Sequence, residues 1–260
     1  MNNIKLHFSK INPNKLSFSF TWDDNFARHI EFIAPKFEEY NLRCTFYINP
    51  GEPNFPARLY EGYAKLGKDN FELGSHGYTH HHFSKLSILN YFDQLVQSKK
   101  AIEQLTGNTP FTFAFPHHDF TADMLNIARK IYLETRNTLN NTYRVSLKSN
   151  TNISNVIKEI DSAILNRHSL VFSGHSVSLP ADLDSCDGYE PISLSFLDAV
   201  LQYVLDKNTI IDIITFGQAV LKEYIINNCI FSNEYFELTP SQIIYLNKYG
   251  ITIDRIKSQV

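Results

Sequence analysis

From residue 15 to about residue 224 the chain alternates short strand-like runs with longer runs of helical period. Strand candidates are Lys15–Trp22, Cys44–Ile48, Phe71–Gly74, Phe111–Phe115, Tyr132–Thr135, Ser169–Phe172 and Thr209–Ile214. Amphipathic segments lie near Phe26–Tyr40, Ala57–Leu66, Ile88–Thr106, Ala122–Ile131, Ile153–Leu165 and Leu194–Leu205. A helix between two strands lets the second return parallel to the first, so this rhythm predicts a parallel sheet clothed in helices, open or closed into a barrel. Gly107 and Pro110 close the long third helix, and Ser87 offers its N-cap. No repeat or linker-like stretch interrupts residues 1–224, which read as one domain. The rhythm breaks after Tyr224. Residues 225–260 read as an extension packing on that domain, with one helix candidate at Pro240–Tyr249.

Composition removes several function classes. The 260 residues hold 24 Lys and Arg against 27 Asp and Glu, a net charge of −3, with no basic excess to follow a phosphate backbone. Nucleic acid is therefore not an expected partner. Cys44, Cys186 and Cys229 are odd in number and lack CxxC spacing, which speaks against a disulfide framework. The first residues lack the apolar core of about 7–15 residues that a signal peptide carries. No run approaches the ~20 apolar residues of a membrane span. The expected address is the cytoplasm; the oligomeric state is open, and a homo-oligomer is compatible with the sequence.

Parallel α/β folds place ligands beyond the C-terminal ends of their strands. Those ends are rich in chemistry here. The first strand runs into Asp23-Asp24, the third into Ser75-His76 with His80 shortly after, the fourth into Pro116-His117-His118, and the sixth into Ser173-Gly174-His175. Adjacent carboxylates can divide labour, one binding a cation while the other stays free as a base. His76 and His80, four residues apart, can face one ion. With one aspartate they form a His₂Asp set with an open position, suited to catalytic zinc or another divalent metal such as cobalt or nickel. His81 and His82 extend the run but point elsewhere.

The order of these pieces resembles the polysaccharide deacetylase family (the NodB-homology domain, carbohydrate esterase family 4). Thr21-Trp22-Asp23-Asp24 is similar to its first motif, and Ser75-His76-Gly77-Tyr78-Thr79-His80 to its second. Phe113 to Phe120 corresponds to the third motif and Leu170 to His175 to the last. The resemblance implies a distorted (β/α)₇-type barrel of parallel strands that removes acetyl groups from N-acetylated sugars. By the same resemblance Asp23 is the general base, and Asp24, His76 and His80 bind the metal. His175 becomes the general acid, and the backbone N–H of His117, after Pro116, the oxyanion donor. Trp22, Pro116, His117, Ser173 and Arg136 are placed around the pocket.

The sequence departs from the family around that centre. Ala114 stands where the third motif carries an arginine that pairs with the base, and His117-His118 replace a tyrosine and glycine. Ser173 replaces a leucine of the acetyl pocket. The fourth-motif Asp-Trp is absent, its stretch reading Leu133-Glu134-Thr135-Arg136-Asn137. Arg136, just past the fifth strand, is the candidate partner for Asp23. The expected substrate is a nucleotide- or lipid-linked glycan precursor. The competing readings are an allantoinase-like hydrolase of a cyclic ureide, a non-catalytic metal-retaining carbohydrate-binding homologue, and a non-haem Fe(II) oxygenase.

Overall fold

The computed structural model describes residues 3–8, 12, 14–53, 55, 57–136, 139, 141–180, 182, 189–226, 231–232 and 251–256. The helix candidate at Pro240–Tyr249, Cys186 and Cys229 lie outside them.

In chain order the elements are β1 (Asn3–Phe8), β2 (Leu16–Asp23), a π-turn (His29–Ile33) leading into α1 (Ala34–Glu39), β3 (Thr45–Ile48), α2 (Ala57–Lys68), β4 (Glu72–Ser75) and α3 (Ile88–Thr106). There follow β5 (Thr112–Phe113), α4 (Ala122–Ile131), β6 (Glu134–Thr135), β7 (Thr142–Ser146), α5 (Ile153–Leu165) and β8 (Ser169–Gly174). The described chain continues through β9 (Val177–Ser178), β10 (Ile192–Ser193), α6 (Leu194–Leu205), β11 (Ile211–Ile213), α7 (Phe216–Ile226), β12 (Phe231–Ser232) and β13 (Ile251–Ile256).

Eight strands form one curled parallel sheet, ordered β6-β5-β4-β3-β2-β8-β7, with β11 paired to the first half of β2. This is the parallel sheet that the alternation implies, curled as the family resemblance implies. Among the described residues β6 and β7 do not pair with each other, so the barrel keeps a seam between them. β7 was not among the sequence candidates. Its residues, Thr142-Tyr143-Arg144-Val145-Ser146, are too polar for the apolar pattern of a buried strand, because it forms one lip of that seam.

β2 shows how the sequence builds the two faces. Phe18, Phe20 and Trp22 join the core beneath the helices, with Phe37, Phe46, Phe172 and Leu197. Phe20 stacks on Phe172 at 4.4 Å. Burying each such ring contributes about 1.5–3 kcal/mol. The alternate positions, Ser17, Ser19, Thr21 and Asp23, are also buried but face the lumen. A second core of Phe83, Tyr91, Leu95, Phe113 and Tyr132 seals α3 and α4 against the sheet.

Several helix limits follow from their caps. Ser87 accepts the Asn90 N–H at the start of α3, and Gly107 ends it at φ +72°. The single helix expected over Phe26–Tyr40 is divided: a π-turn occupies His29–Ile33 and α-geometry begins at Ala34. Pro35 in the first turn of α1 has no N–H to bond back, which favours a new start there.

The floor of the barrel is closed by Glu72, at the start of β4. It accepts hydrogen bonds from the hydroxyls of Thr45 (2.8 Å) and Thr112 (2.6 Å) and from the Gly217 N–H at the start of α7 (2.7 Å). Away from the barrel, β1 pairs antiparallel with β13 and with β12, so the two ends of the chain share a small sheet. No described helix is long and apolar enough to cross a membrane.

Candidate active site

Asp23 emerges at the mouth because it continues the lumen-facing row of β2. Arg136, just past β6, reaches it with both arms: Nη1 donates to Oδ1, and Nη2 to Oδ2 at 2.6 Å. Nη1 also donates to the Thr21 hydroxyl at 3.1 Å. The guanidinium lies over the Tyr47 ring, 5.1 Å from its centroid. That ring has room because Gly74 carries no side chain; a Cβ there would come within 2.4 Å of it. Burial pushes the Asp23 carboxyl upward, but the charge of Arg136 and its hydrogen bonds overcome this and hold it well below the usual carboxylate range. The base position is thus ionised. Arg136 is thus the cation that pairs with Asp23, where position 114 carries only an alanine.

Asp24 turns away from Asp23 at φ +72°, a left-handed conformation that costs an aspartate on the order of 1 kcal/mol. The turn aims Oδ1 at the two imidazoles, 3.6 Å from His76 Nε2 and 3.1 Å from His80 Nε2. The tautomer of His76 is set from behind. Nδ1–H donates to the Ala114 carbonyl at 2.8 Å, which leaves Nε2 bare toward Asp24. Asn49 donates to the His76 carbonyl, and Gln94 on α3 accepts the Tyr78 and Thr79 N–H groups at 3.1 and 2.8 Å, steadying the loop to His80.

Asp24, His76 and His80 are the cluster among the described residues that could hold a metal ion, their donor atoms lying within 4.8 Å of one another. The residues fit a divalent cation. Asp24 Oδ1 is buried without a hydrogen bond. Burial, followed by the neighbouring Asp23 charge, raises Asp24 to about 7, while burial lowers His76 to about 4. A buried carboxylate beside two neutral imidazoles with bare nitrogens is a ligand set whose missing charge a cation supplies.

His175 faces the same space from beyond β8, its ring edge-on to Tyr189 at 5.1 Å and its Nδ1 buried without a partner. Burial holds its pKa below the ordinary imidazole value, against the pull of Asp23. Its backbone is fixed by His29, which sequence reasoning did not single out. His29 Nε2–H donates to the His175 carbonyl at 2.5 Å, so the bare Nδ1 accepts the Tyr63 hydroxyl at 2.7 Å. Burial lowers His29 to about 4 and keeps it neutral.

These groups open onto one cavity of about 610 Å³. Asp23, Asp24, His76, His80, His117, Arg136, Ser173 and His175 all line it. Two expected pocket residues do not. Trp22 is wholly buried in the core, because its place on β2 is on the helix-facing side. Pro116 is buried behind the wall and shapes the turn that presents His117, which sits at φ +54°. Arg144, Ser146, Lys148, Tyr189 and Glu190 also line it and were not anticipated. Once β7 is recognised as a strand, the period-two spacing of 144, 146 and 148 identifies three of them.

The sequence profile of the polysaccharide deacetylase family matches residues 10–135. The uncharacterized protein YlxY of Bacillus subtilis is 28% identical over 130 residues, covering 48% of this chain and 39% of its own. The peptidoglycan-N-acetylglucosamine deacetylase of Bacillus cereus is 23% identical over 119 residues, covering 44% and 41%. The chain thus spans about two-fifths of the length of these curated relatives. Among solved structures, the carbohydrate esterase family 4 domain of a xylanase from the hindgut metagenome of Trinervitermes trinervoides superposes with a TM-score of 0.57 at 16% identity, over 81% of this chain and 92% of that one. A peptidoglycan N-acetylglucosamine deacetylase bound to a naphthalenyl N-oxidanyl-benzamide gives 0.58 at 14%, over 80% and 89%. A pseudoenzyme of the same esterase family from Bacillus anthracis gives 0.52 at 16%, over 80% and 66%. Profile, relatives and fold agree: residues 10–135 resemble the polysaccharide deacetylase family, and the chain has the NodB-type fold of carbohydrate esterase family 4.

Proposed function

We propose that the protein is a metal-dependent hydrolase that removes the acetyl group from an N-acetylated sugar, in a cytoplasmic nucleotide- or lipid-linked glycan precursor. The observation that carries this reading is the ionised Asp23, gripped by Arg136, beside the Asp24–His76–His80 cluster on one cavity.

A divalent ion held by Asp24, His76 and His80, zinc in the first instance, would polarise the amide carbonyl and acidify a water. The chain's own groups do the rest. Asp23 takes the proton of the attacking water, and its ionisation is secured by Arg136. The His117 N–H, on a residue that lines the cavity, would donate to the developing oxyanion. His175 delivers a proton to the leaving nitrogen, and its lowered pKa makes it the stronger acid once charged. Water and amide become acetate and a free amine.

The Bacillus anthracis neighbour is a pseudoenzyme, which makes a non-catalytic carbohydrate-binding protein the second reading. Acetate release from N-acetylated sugar nucleotides, measured after chelation and again after zinc or cobalt is returned, separates the two. The proposal expects release that disappears with chelation and returns with metal. Stoichiometric metal binding without acetate from any sugar supports the second reading.

A further inference from the structure

The cavity has a cationic lip that the hydrolytic chemistry does not use. On β7, Tyr143 and Val145 point away from the lumen, Tyr143 against His168 at 4.6 Å and Val145 against the main core. The intervening positions face inward. Arg144 is in register with Val171 and Ser146 with Ser173, and Lys148 follows just past the strand. Arg144, Ser146 and Lys148 therefore form one row on the cavity wall, beside the hydroxyl of Ser173.

Two guanidiniums, those of Arg136 and Arg144, line this cavity. Burial, then the Arg136 charge, lowers the pKa of Arg144, and burial, then both arginines, lowers that of His118, which lines the same cavity. Arg136 is already held by Asp23, so the charge this wall offers a ligand is that of Arg144 and Lys148. Lys148 adds a third cation, with Nζ 2.9 Å from Glu190 Oε2. Such half-exposed pairs are weak, so this ammonium can be shared with a ligand at little cost.

We propose that Arg144, assisted by Lys148, binds an anionic substituent of the substrate, so that the sugar whose amide reaches Asp23 carries a phosphoryl or carboxylate group. The sugar half of this statement rests on the deacetylase reading. The anion half rests on the β7 row alone. The planar fork of Arg144 suits either group, because both offer paired oxygens.

The test measures binding and turnover separately on the zinc-loaded full chain. Calorimetric titration uses N-acetylglucosamine 1-phosphate, N-acetylmuramic acid and neutral N-acetylglucosamine, with wild type, Arg144→Gln and Lys148→Gln. At least one anionic sugar is expected to bind about tenfold more tightly than the neutral one, and salt should weaken the preference. Arg144→Gln should abolish the preference, and Lys148→Gln should reduce it less. The phosphate and carboxylate arms show which anion the row takes. Equal affinity for all three sugars, no binding of any, or a preference that survives in Arg144→Gln overturns the proposal. A preference lost in Arg144→Gln while no sugar yields acetate upholds the anion site and sinks the deacetylase reading. Acetate release without any preference does the reverse.

Discussion

Two buried carboxylates face the lumen at opposite ends of the barrel, and their surroundings differ in kind. At the mouth, Asp23 meets a guanidinium that pairs with both of its oxygens. At the floor, Glu72 meets only neutral donors, the Thr45 and Thr112 hydroxyls and the Gly217 N–H. Burial pushes both pKa values upward. At Asp23 the charge of Arg136 reverses the push; at Glu72 the hydrogen bonds do not, and its pKa stays raised. Neutral donors suffice to plug a barrel and hold the start of α7. Keeping a buried carboxylate charged, as a general base requires, takes an opposite charge.

The largest expected effect at the mouth lies beside Asp23. His76→Ala should abolish metal retention, because two protein ligands rarely hold a catalytic ion. Elemental analysis after dialysis should fall from one equivalent per chain to none; a full equivalent would remove His76 from the ligand set. Next comes Arg136→Ala, which leaves Asp23 buried without its partner and should cost about 3–5 kcal/mol in denaturant unfolding at neutral pH. With the cation gone the Asp23 pKa rises, so the acidic limb of kcat/KM should move to higher pH. An unmoved limb would mean that Arg136 does not set the base's ionisation.

Tyr63→Phe takes the hydroxyl from His29 Nδ1 and should cost about 1–3 kcal/mol, the usual penalty for a buried acceptor left unsatisfied. It should also slow turnover through His175, whose carbonyl His29 holds; unchanged stability and rate would make this chain a bystander. The smallest effect belongs to the floor. Glu72 has a folded pKa above its ordinary 4.5, so the stability tied to its protonated form is full below about pH 4.5 and is lost as pH rises through the folded value. Glu72→Gln cannot ionise. Its deficit against wild type, within about 1 kcal/mol, should therefore shrink between pH 5 and pH 8, as read from unfolding midpoints. A deficit that grows over this range would show that Glu72 works as a charged group.

Most of the mouth is legible in the sequence because it follows local rules. The alternation Phe18, Phe20, Trp22 against Ser17, Ser19, Thr21 sends Asp23 into the lumen, and the four-residue spacing brings His76 and His80 together. The same alternation, applied to Trp22, excludes it from the pocket. Arg136 could be named from its place past a strand end, although its two-armed grip on Asp23 depends on the Tyr47 ring beneath it. His29 and β7 were out of reach for different reasons. His29 reads as one more position on an amphipathic helix, and its role arises only when the π-turn packs under the loop carrying His175. β7 lies on the seam, where one side of a strand need not be apolar, so the pattern that marks the other strands is missing.

The central claim is that Asp23 is a working base beside a bound metal. It is tested most directly by acetate release from the zinc-loaded wild type and from zinc-loaded Asp23→Asn at equal metal content. The account predicts release by the wild type and a loss of about 10²–10⁴-fold in the variant, with one zinc per chain in both. Equal rates in the two proteins, or no acetate from either, would contradict it.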